Sequence, residues 1–200
     1  MPKHPDETGP AYLPSARTAK IKFLIAGGFA VGKTSFIKSV SEVRTLHTEE
    51  RLTAPGTMVD SLVHTPGKTE TTVGIDFGRR TLAEDVVLYL FGSPGQGRFG
   101  EAWQDAAQGA KGAVVLLDLR RPDESYEALD GVEQAEIPHI LAVNVWPDTP
   151  DVSDTAIRED LNLTADTPLI RCNALHQSSC VRALIALTQH VLSSRHQEAH

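Results

Sequence analysis

The chain has 200 residues, a length that predicts one domain with a full hydrophobic core. Hydrophobic residues make up 40% and charged residues 22%, and the formal net charge is −7 with no basic block, which argues against nucleic acid as the main partner. No apolar stretch approaches the roughly 18 residues of a membrane span or resembles a signal peptide, and two cysteines are too few for a disulfide framework. We therefore expect a cytoplasmic protein without direct membrane insertion.

Residues 1–19 are predicted to form a disordered arm, because four prolines interrupt a polar sequence. An apolar run with strand character follows, from Ile21 to Ala26, and it ends at a pair of glycines. From Phe36 onward, apolar residues recur at helical spacing to about Arg44. The segment therefore predicts a strand, a glycine-rich loop and a helix in succession.

This loop matches the phosphate-binding pattern G-x-x-x-x-G-K-[ST] through Gly27, Gly32, Lys33 and Thr34. Glycines let backbone N–H groups turn towards phosphate oxygens, and the N-terminus of the helix adds partial positive charge. Lys33 would reach the β- and γ-phosphates, and the Thr34 hydroxyl would bind Mg²⁺. The predicted nucleotide-binding residues of the loop are Gly27, Gly28, Phe29, Ala30, Val31, Gly32, Lys33, Thr34 and Ser35.

The rest of the chain alternates between predicted strands and helices. A polar, threonine-rich stretch, residues 45–72, shows no periodicity and is expected to be a long loop. Strands are predicted at Val73–Leu82, Asp85–Phe91, Ala113–Leu119, His139–Val145 and Pro168–Cys172. Helices are predicted at Glu101–Gln108, Pro122–Glu136, Val152–Leu163 and Ser179–Ser194. This order predicts a doubly wound α/β sheet with its ligand at the carboxyl ends of the strands.

Four segments occur in the order found in the Ras-like small GTPases. They are the phosphate loop, TTVGIDFG (71–78), GSPGQGRF (92–99) and LAVNVW (141–146). The chain resembles the bacterial branch that includes the gliding-motility GTPase MglA, and most closely the GTPases of the streptomycete conservon operons. The resemblance implies a three-layer P-loop G domain at residues 20–195, followed by a tail at 196–200. Its sheet would be six-stranded and mostly parallel, with one antiparallel edge strand.

The resemblance also assigns roles to residues in two switch loops. Thr72 lies where the family has its switch I threonine, just before the second strand, and would bind Mg²⁺ and the γ-phosphate, with Thr71 as an alternative. Gly95 would give its N–H to the γ-phosphate, and Gln96 would orient the attacking water. Lys33 and Gln96 are therefore the expected catalytic residues, and Thr34 and Thr72 the expected Mg²⁺ ligands.

At the nucleobase, Asn144 matches the asparagine that opens the family's base-recognition motif. Asn173 and Ala174 match the last base-binding loop, where a backbone N–H would meet the guanine carbonyl oxygen. Asp148 would accept hydrogen bonds from two guanine N–H groups if residues 146–147 bulge, because it comes one residue later than in the family. Asp148 could equally have an ordinary role in a polar loop. The lysine that would lie over the base in the family's motif is absent here.

Three further departures from the family affect catalysis. Gly92 stands where the family has an aspartate that positions Mg²⁺, so we expect the metal to be weakly held. Phe29 stands where the family often has glycine, and its ring would either crowd Gln96 beside the γ-phosphate or turn outward under the long loop. The connection from the first helix to Thr72 is unusually long, so Thr72 would move a long distance between the GTP and GDP states. Together these departures predict slow hydrolysis and GDP retention that depends little on Mg²⁺.

The sequence thus predicts a GTP/GDP molecular switch with slow hydrolysis in bacterial signalling. Two alternatives stay open: a nucleotide-binding scaffold without hydrolysis, and a P-loop ATPase or kinase with Arg79, Arg80 and Arg98 available for a lid. The resemblance implies a roadblock-type regulatory protein and a sensor histidine kinase as partners, which would recruit a cytoplasmic GTPase to the membrane.

Overall fold

The computed structural model describes residues 19–52, 71–95 and 100–198, with the backbone alone at 46–52, 71–74 and 195–198. The strands are β1 (Ala19–Ala26), β2 (Leu46–Leu52), β3 (Thr71–Ala83), β4 (Val86–Gly92), β5 (Gly112–Leu117), β6 (His139–Asn144) and β7 (Leu169–Cys172). The helices are α1 (Lys33–Val40), α2 (Glu101–Ala107), α3 (Asp123–Gln134), α4 (Asp154–Asp160) and α5 (Gln177–Glu198).

The predicted helices are all present, and their ends differ from the predicted ends by a few residues. Of the predicted arm, residues 1–18 lie outside the described residues, and Ala19 already belongs to β1. The predicted tail begins inside α5, which continues to Glu198. None of the helices that the structure describes is long and apolar enough to cross a bilayer.

The strands form one sheet in the order β2-β3-β4-β1-β5-β6-β7. From β4 to β7 all neighbours are parallel, whereas β3 is antiparallel to both β4 and β2. The predicted α/β fold with a mostly parallel sheet is therefore confirmed. In the described ranges the sheet has seven strands, one more than predicted, and β3 lies inside the sheet rather than at its edge.

The additional strand is β2, which occupies part of the stretch predicted to be a long loop. It pairs with β3 from Leu46 opposite Phe77 to Leu52 opposite Thr71. Its sequence, LHTEERL, lacks apolar alternation. Because backbone hydrogen bonds to one neighbour hold an edge strand, charged side chains are tolerated there and also discourage pairing with another chain. Residues 53–70 of the predicted loop lie outside the described residues.

The core lies on both faces of the central strands, whose apolar runs are almost fully buried. On β1, Ile25 packs into a cluster with residues of α1 and α5, whereas Leu24 packs on the opposite face against residues of α2 and α3. Successive side chains of a strand point to opposite faces, so an unbroken apolar run fits a strand covered on both sides. The result is the three-layer arrangement expected from the sequence.

This topology gathers five loops at one edge of the sheet. The residues that directly follow the parallel strands β1, β4, β5, β6 and β7 are Gly27, Ser93, Asp118, Val145 and Asn173. Parallel strands end at the same edge, which is where ligands bind in open α/β sheets. The loops expected to meet the phosphates, the switch region and the base are thereby brought together.

Candidate functional site

The loop between β1 and α1 turns tightly over the end of the sheet. Gly27 and Gly32 have φ of 143° and 109°, in the region that favours glycine. A Cβ on Gly27 would lie 2.8 Å from the Leu116 carbonyl oxygen, and a Cβ on Gly32 would lie 2.7 Å from the Asn144 amide nitrogen. Both the backbone conformation and the close neighbours therefore require glycine at these two positions of the motif.

Lys33 begins α1 and is anchored to the same loop. Its ammonium donates hydrogen bonds to the carbonyl oxygens of Gly27, at 2.8 Å, and Gly28, at 2.6 Å. Burial lowers the pKa of Lys33 to about 8, although the carboxylates of Asp76 and Glu124 act in the opposite direction. A cation in a low-dielectric loop at a helix N-terminus favours the anionic oxygens of a phosphate.

Thr34, the expected Mg²⁺ ligand, donates a hydrogen bond from its hydroxyl to the carboxylate of Asp76 on β3. Asp76 is buried, with 7% of its surface exposed. A Cβ on Gly92 would lie 3.2 Å from the Asp76 Cβ, so the two positions face each other on adjacent strands. β3 therefore supplies a carboxylate at this place from the neighbouring strand, and the weak hold on Mg²⁺ expected from Gly92 stays a prediction.

Sequence reasoning missed Asp76, although a signal was present. In GIDFG, Gly74, Asp76 and Gly78 alternate with apolar residues, so one face of β3 carries two glycines and an acid. At Gly78 a Cβ would lie 2.6 Å from an Ile37 side-chain carbon, which shows how closely that face approaches α1. An acid flanked by glycines on a face packed against the phosphate-loop helix indicates a special position.

Gly95, in the predicted switch II loop, lies directly over the phosphate loop. A Cβ at Gly95 would lie 3.2 Å from both the Lys33 ammonium and the Phe29 Cα. Phe29 itself is 59% exposed, so its ring has turned outward, one of the two positions expected from the sequence.

Of the two predicted switch residues Thr72 and Gln96, the structure describes only the backbone of Thr72. Thr72 belongs to β3, opposite Arg51 of β2, so it lies inside a strand rather than just before one; its side chain is not described. Gln96 lies outside the described residues, as does Arg98. The roles of Thr72 and Gln96 therefore stay predictions.

The two described arginines considered for a lid point to the other end of α1. Arg80 donates to the carbonyl oxygen of Val40, and Arg79 lies 3.6 Å from the Glu42 carboxylate. Val40 is the last residue of α1 and Lys33 the first, a separation of about 10 Å along a helix with 1.5 Å rise per residue. Arg79 and Arg80 are therefore held away from the phosphate loop.

On the base side, Asn144 joins three loops. It is 2% exposed, its amide nitrogen donates to the Val31 carbonyl oxygen at 2.9 Å, and its carbonyl oxygen accepts from the Ala174 N–H at 3.0 Å. A buried side chain satisfied at both ends fixes the phosphate loop relative to the last base-binding loop. Asn144 thus fixes the shape of the site, and its predicted contact with the base stays a prediction.

The backbone N–H groups expected to meet guanine are engaged within the protein. Besides the Ala174 N–H, which bonds Asn144, the Asn173 N–H donates to the Ser179 hydroxyl at 3.0 Å and the Leu175 N–H to the Asn173 side chain at 3.0 Å. A guanine carbonyl oxygen would therefore have to share or displace one of these acceptors. The structure places Asn173 and Ala174 at the site but does not leave their N–H groups open.

Asp148 is exposed, yet its carboxylate is held by Arg120. One guanidinium nitrogen, Nη1, lies 2.9 Å and 3.3 Å from the two Asp148 oxygens. The other nitrogens, Nε and Nη2, bond Asp118 at 2.9 Å and 2.6 Å, and the guanidinium lies 4.6 Å from the centre of the Trp146 ring. The hydrogen bonds from Arg120 hold the pKa of Asp118 below its ordinary value, against the opposing effect of burial.

Among the described residues, histidines, cysteines and acids form no group of three or more that could hold a metal ion by itself. Mg²⁺ typically takes one or two protein oxygens together with substrate phosphates and water. Thr34 and Asp76 offer such a pair of oxygen-bearing side chains beside Lys33. The residues present therefore suit a metal that arrives with a nucleotide.

The comparisons with known proteins agree with a nucleotide site. A family described as conserved hypothetical ATP binding protein matches residues 25–194. An uncharacterized protein of Methanocaldococcus jannaschii is 32% identical over 93 residues, which are 44% of this chain and 60% of that protein. The chain thus spans less than two thirds of that relative's length.

Solved structures show the same fold. The cytosolic domain of the T. maritima FeoB iron transporter in a GDP form is 17% identical, with a TM-score of 0.60 over 87% of this chain and 64% of that chain. The isolated G domain of that transporter is 18% identical, with a TM-score of 0.55 over 87% of this chain and 98% of that chain. At these identities the likeness establishes a G-domain type of P-loop fold.

Proposed function

We propose that this chain, which belongs to the family described as conserved hypothetical ATP binding protein, is a nucleotide-dependent molecular switch that binds GTP and GDP and hydrolyses GTP slowly. The observation on which this depends is the phosphate end of the site. Lys33, the hydroxyl of Thr34 bonded to buried Asp76, and Gly95 lie together over one glycine-rich loop. These are the groups that a triphosphate and its metal need.

Mg²⁺ would be held by Thr34, with Asp76 fixing the hydroxyl and offering a carboxylate nearby, and by Thr72 in the triphosphate state. Bound there, the ion would neutralise charge on the β- and γ-phosphates. Residues that orient metal ligands affect metal affinity strongly. Asp76 therefore makes a firmer Mg²⁺ site than expected from Gly92 alone.

For hydrolysis, Lys33 would stabilise charge on the phosphate oxygens and Gln96 would orient the attacking water. The two arginines of β3 bond groups at the far end of α1, so they are not placed to stabilise that charge. Reactions of this type gain several powers of ten in rate from an arginine near the γ-phosphate. We therefore expect slow turnover by the protein alone.

Gly95 couples the nucleotide to the switch loops. Its backbone packs against Phe29 and the Lys33 ammonium, so a γ-phosphate would contact it and its loss would release it. In the setting that the resemblance implies, a roadblock-type protein and a sensor histidine kinase would detect this change in bacterial signalling. The protein would act in the cytoplasm and reach the membrane through such partners.

A second candidate, adenine nucleotide binding, is favoured by two observations. The family is described as ATP binding, and the groups expected to recognise guanine are engaged by Arg120, Asn144 and Ser179. The test is the nucleotide released from purified protein by heat denaturation and chromatography. GDP or GTP supports the guanine switch; ADP or ATP supports the second candidate.

Phosphate release separates a slow enzyme from a scaffold. We expect the native protein to release phosphate from GTP slowly and Gln96→Ala to release it more slowly still, at unchanged GDP affinity. Equal and undetectable release from both proteins would mean that the site binds but does not hydrolyse.

A further inference from the structure

The loop after β5 and the loop after β6 are joined by a cluster of four residues, Asp118, Arg120, Trp146 and Asp148. Arg120 is at its centre, with four of its hydrogen bonds going to two carboxylates and its flat face lying over an indole ring. Nothing in the phosphate chemistry uses this cluster. Two of its members, Trp146 and Asp148, belong instead to the segment Asn144–Asp148, where the base-recognition motif departs from the family pattern.

The contact with Asp148 has a geometry that matters for guanine. Guanine offers two parallel donors, the ring N1–H and the exocyclic amino group, and it binds a carboxylate through both oxygens at once. In this structure one nitrogen of Arg120, Nη1, lies within hydrogen-bond distance of both Asp148 oxygens. Arg120 and guanine therefore require the same end of the same carboxylate.

Arg120 is also held firmly on its other side. Asp118 is 2% exposed, and it accepts from Nε, Nη2 and the backbone N–H of Arg120. Stacking on Trp146 adds a cation–π contact. Asp148, in contrast, has an exposed side chain in a loop. When the pair separates, Asp148 is the partner that moves.

We propose that Arg120 sets the purine selectivity of this site by competing with guanine for the carboxylate of Asp148. While the pair is closed, affinity comes from the phosphates and guanine gains little over adenine. Opening the pair exposes Asp148 to guanine N1–H and the amino group. The inference rests on the proposed nucleotide binding, and it makes Arg120 a positioning residue that acts through Asp148.

The test measures dissociation constants of fluorescent GDP and ADP for the native protein, Arg120→Gln, Asp148→Asn and the double variant. Arg121→Ala is the matched control, because Arg121 also lies near Asp118, at 3.8 Å, but its closer partner is Glu124, at 3.0 Å, and not Asp148. We expect Arg120→Gln to raise the preference for GDP over ADP by roughly ten- to a hundredfold, the range for hydrogen bonds to a charged group. Asp148→Asn should abolish this gain, and Arg121→Ala should leave the native preference unchanged.

Loss of Arg120 removes the hydrogen bonds that buried Asp118 accepts from a guanidinium and leaves it only the more distant Arg121, at 3.8 Å, so that variant can lose stability. The pair Asp118→Asn with Arg120→Gln replaces both charges with neutral groups that can bond each other, and thermal unfolding identifies which variants are folded. Xanthosine diphosphate supplies a second readout. With Arg120 replaced, Asp148→Asn should shift the preference from GDP towards that nucleotide, because an amide can donate to the xanthine 2-carbonyl.

The outcomes separate this inference from the proposed function. If folded Arg120 variants keep the native GDP-to-ADP ratio, or bind GDP more weakly, competition for Asp148 is wrong although nucleotide binding stands. If the native protein binds neither nucleotide, the proposed function fails and the inference fails with it. A gain that survives Asp148→Asn would also overturn it, because Arg120 would then act on the base by another route.

Discussion

The phosphate end and the base end of the site use adjacent loops of one sheet edge, but they are constructed differently. At the phosphate end, Lys33, Thr34 and Gly95 converge on a loop whose glycines are required by close contacts. At the base end, the carboxylate of Asp148 and the N–H groups of Asn173 and Ala174 are all engaged by protein groups. From this difference we expect the phosphates to supply most of the affinity and base recognition to be the adjustable part.

The largest effect is expected for Lys33→Ala. It removes the buried cation that the phosphates need, and hydrogen bonds to charged groups contribute about 1.5–3 kcal/mol each, so two or more such bonds predict a loss of about a hundredfold or more in GDP affinity. Lys111→Ala, at an exposed lysine near the start of β5, is the control. A similar affinity for GDP in native protein and Lys33→Ala would show that the loop is not the phosphate site.

The next effect concerns the carboxylate on β3. Asp76→Gly should weaken Mg²⁺-dependent triphosphate binding by roughly ten- to a hundredfold, as for other residues that orient a metal ligand. Adding Gly92→Asp places a carboxylate on the facing strand, only 3.2 Å away between Cβ positions, and should restore much of the loss.

This exchange of positions is checked by measuring the triphosphate affinity of native protein, Asp76→Gly and the double variant, once with Mg²⁺ and once with a chelator. In Mg²⁺, Asp76→Gly should bind triphosphate more weakly than native protein and the double variant should lie closer to native; in chelator all three should bind alike. Failure of the swap to restore any affinity, in a protein that melts like the native one, would mean that Asp76 serves packing rather than the metal.

The smallest effect is a pH dependence at the phosphate end. The pKa of Lys33 is lowered to about 8, and phosphates bound beside it would raise that pKa again. Nucleotide binding above pH 8 should therefore take up a proton. Nucleotide affinity should fall by up to about tenfold per pH unit above pH 8, and Lys33 should give it no dependence on pH below about pH 7.

Calorimetry at pH 8.5 in two buffers with different ionisation enthalpies measures that proton directly. Uptake of a fraction of a proton in native protein is the expected result. Release of protons on binding would contradict the prediction that bound phosphates raise the pKa of Lys33.

Much of the fold follows from local sequence. The apolar runs of β5 and β6 are long enough to identify strands covered on both faces, and the phosphate loop identifies the first strand and helix. β2 could not be predicted in this way, because a polar edge strand is specified by its pairing with β3 rather than by its own pattern. The same applies to the interior position of β3.

The candidate site was predictable where one segment supplies all the groups, and not where distant segments meet. Asp76 bonds a residue 42 positions away, and Arg120 bonds one 28 positions away. No spacing rule connects such pairs, since the sheet order brings their strands together. Gly92 considered alone therefore gives no sign of the carboxylate that Asp76 places beside Thr34, and Asp148 considered alone gives no sign of the arginine that bonds it.

The most direct measurement is a comparison of GDP, ADP, guanosine and pyrophosphate as ligands of the native protein under one set of conditions. We expect GDP and ADP to bind within about tenfold of one another, pyrophosphate to compete with both, and guanosine to bind too weakly to detect. Guanosine that binds nearly as well as GDP, or ADP that does not bind at all, would contradict the division of the site into a fixed phosphate end and a masked base end.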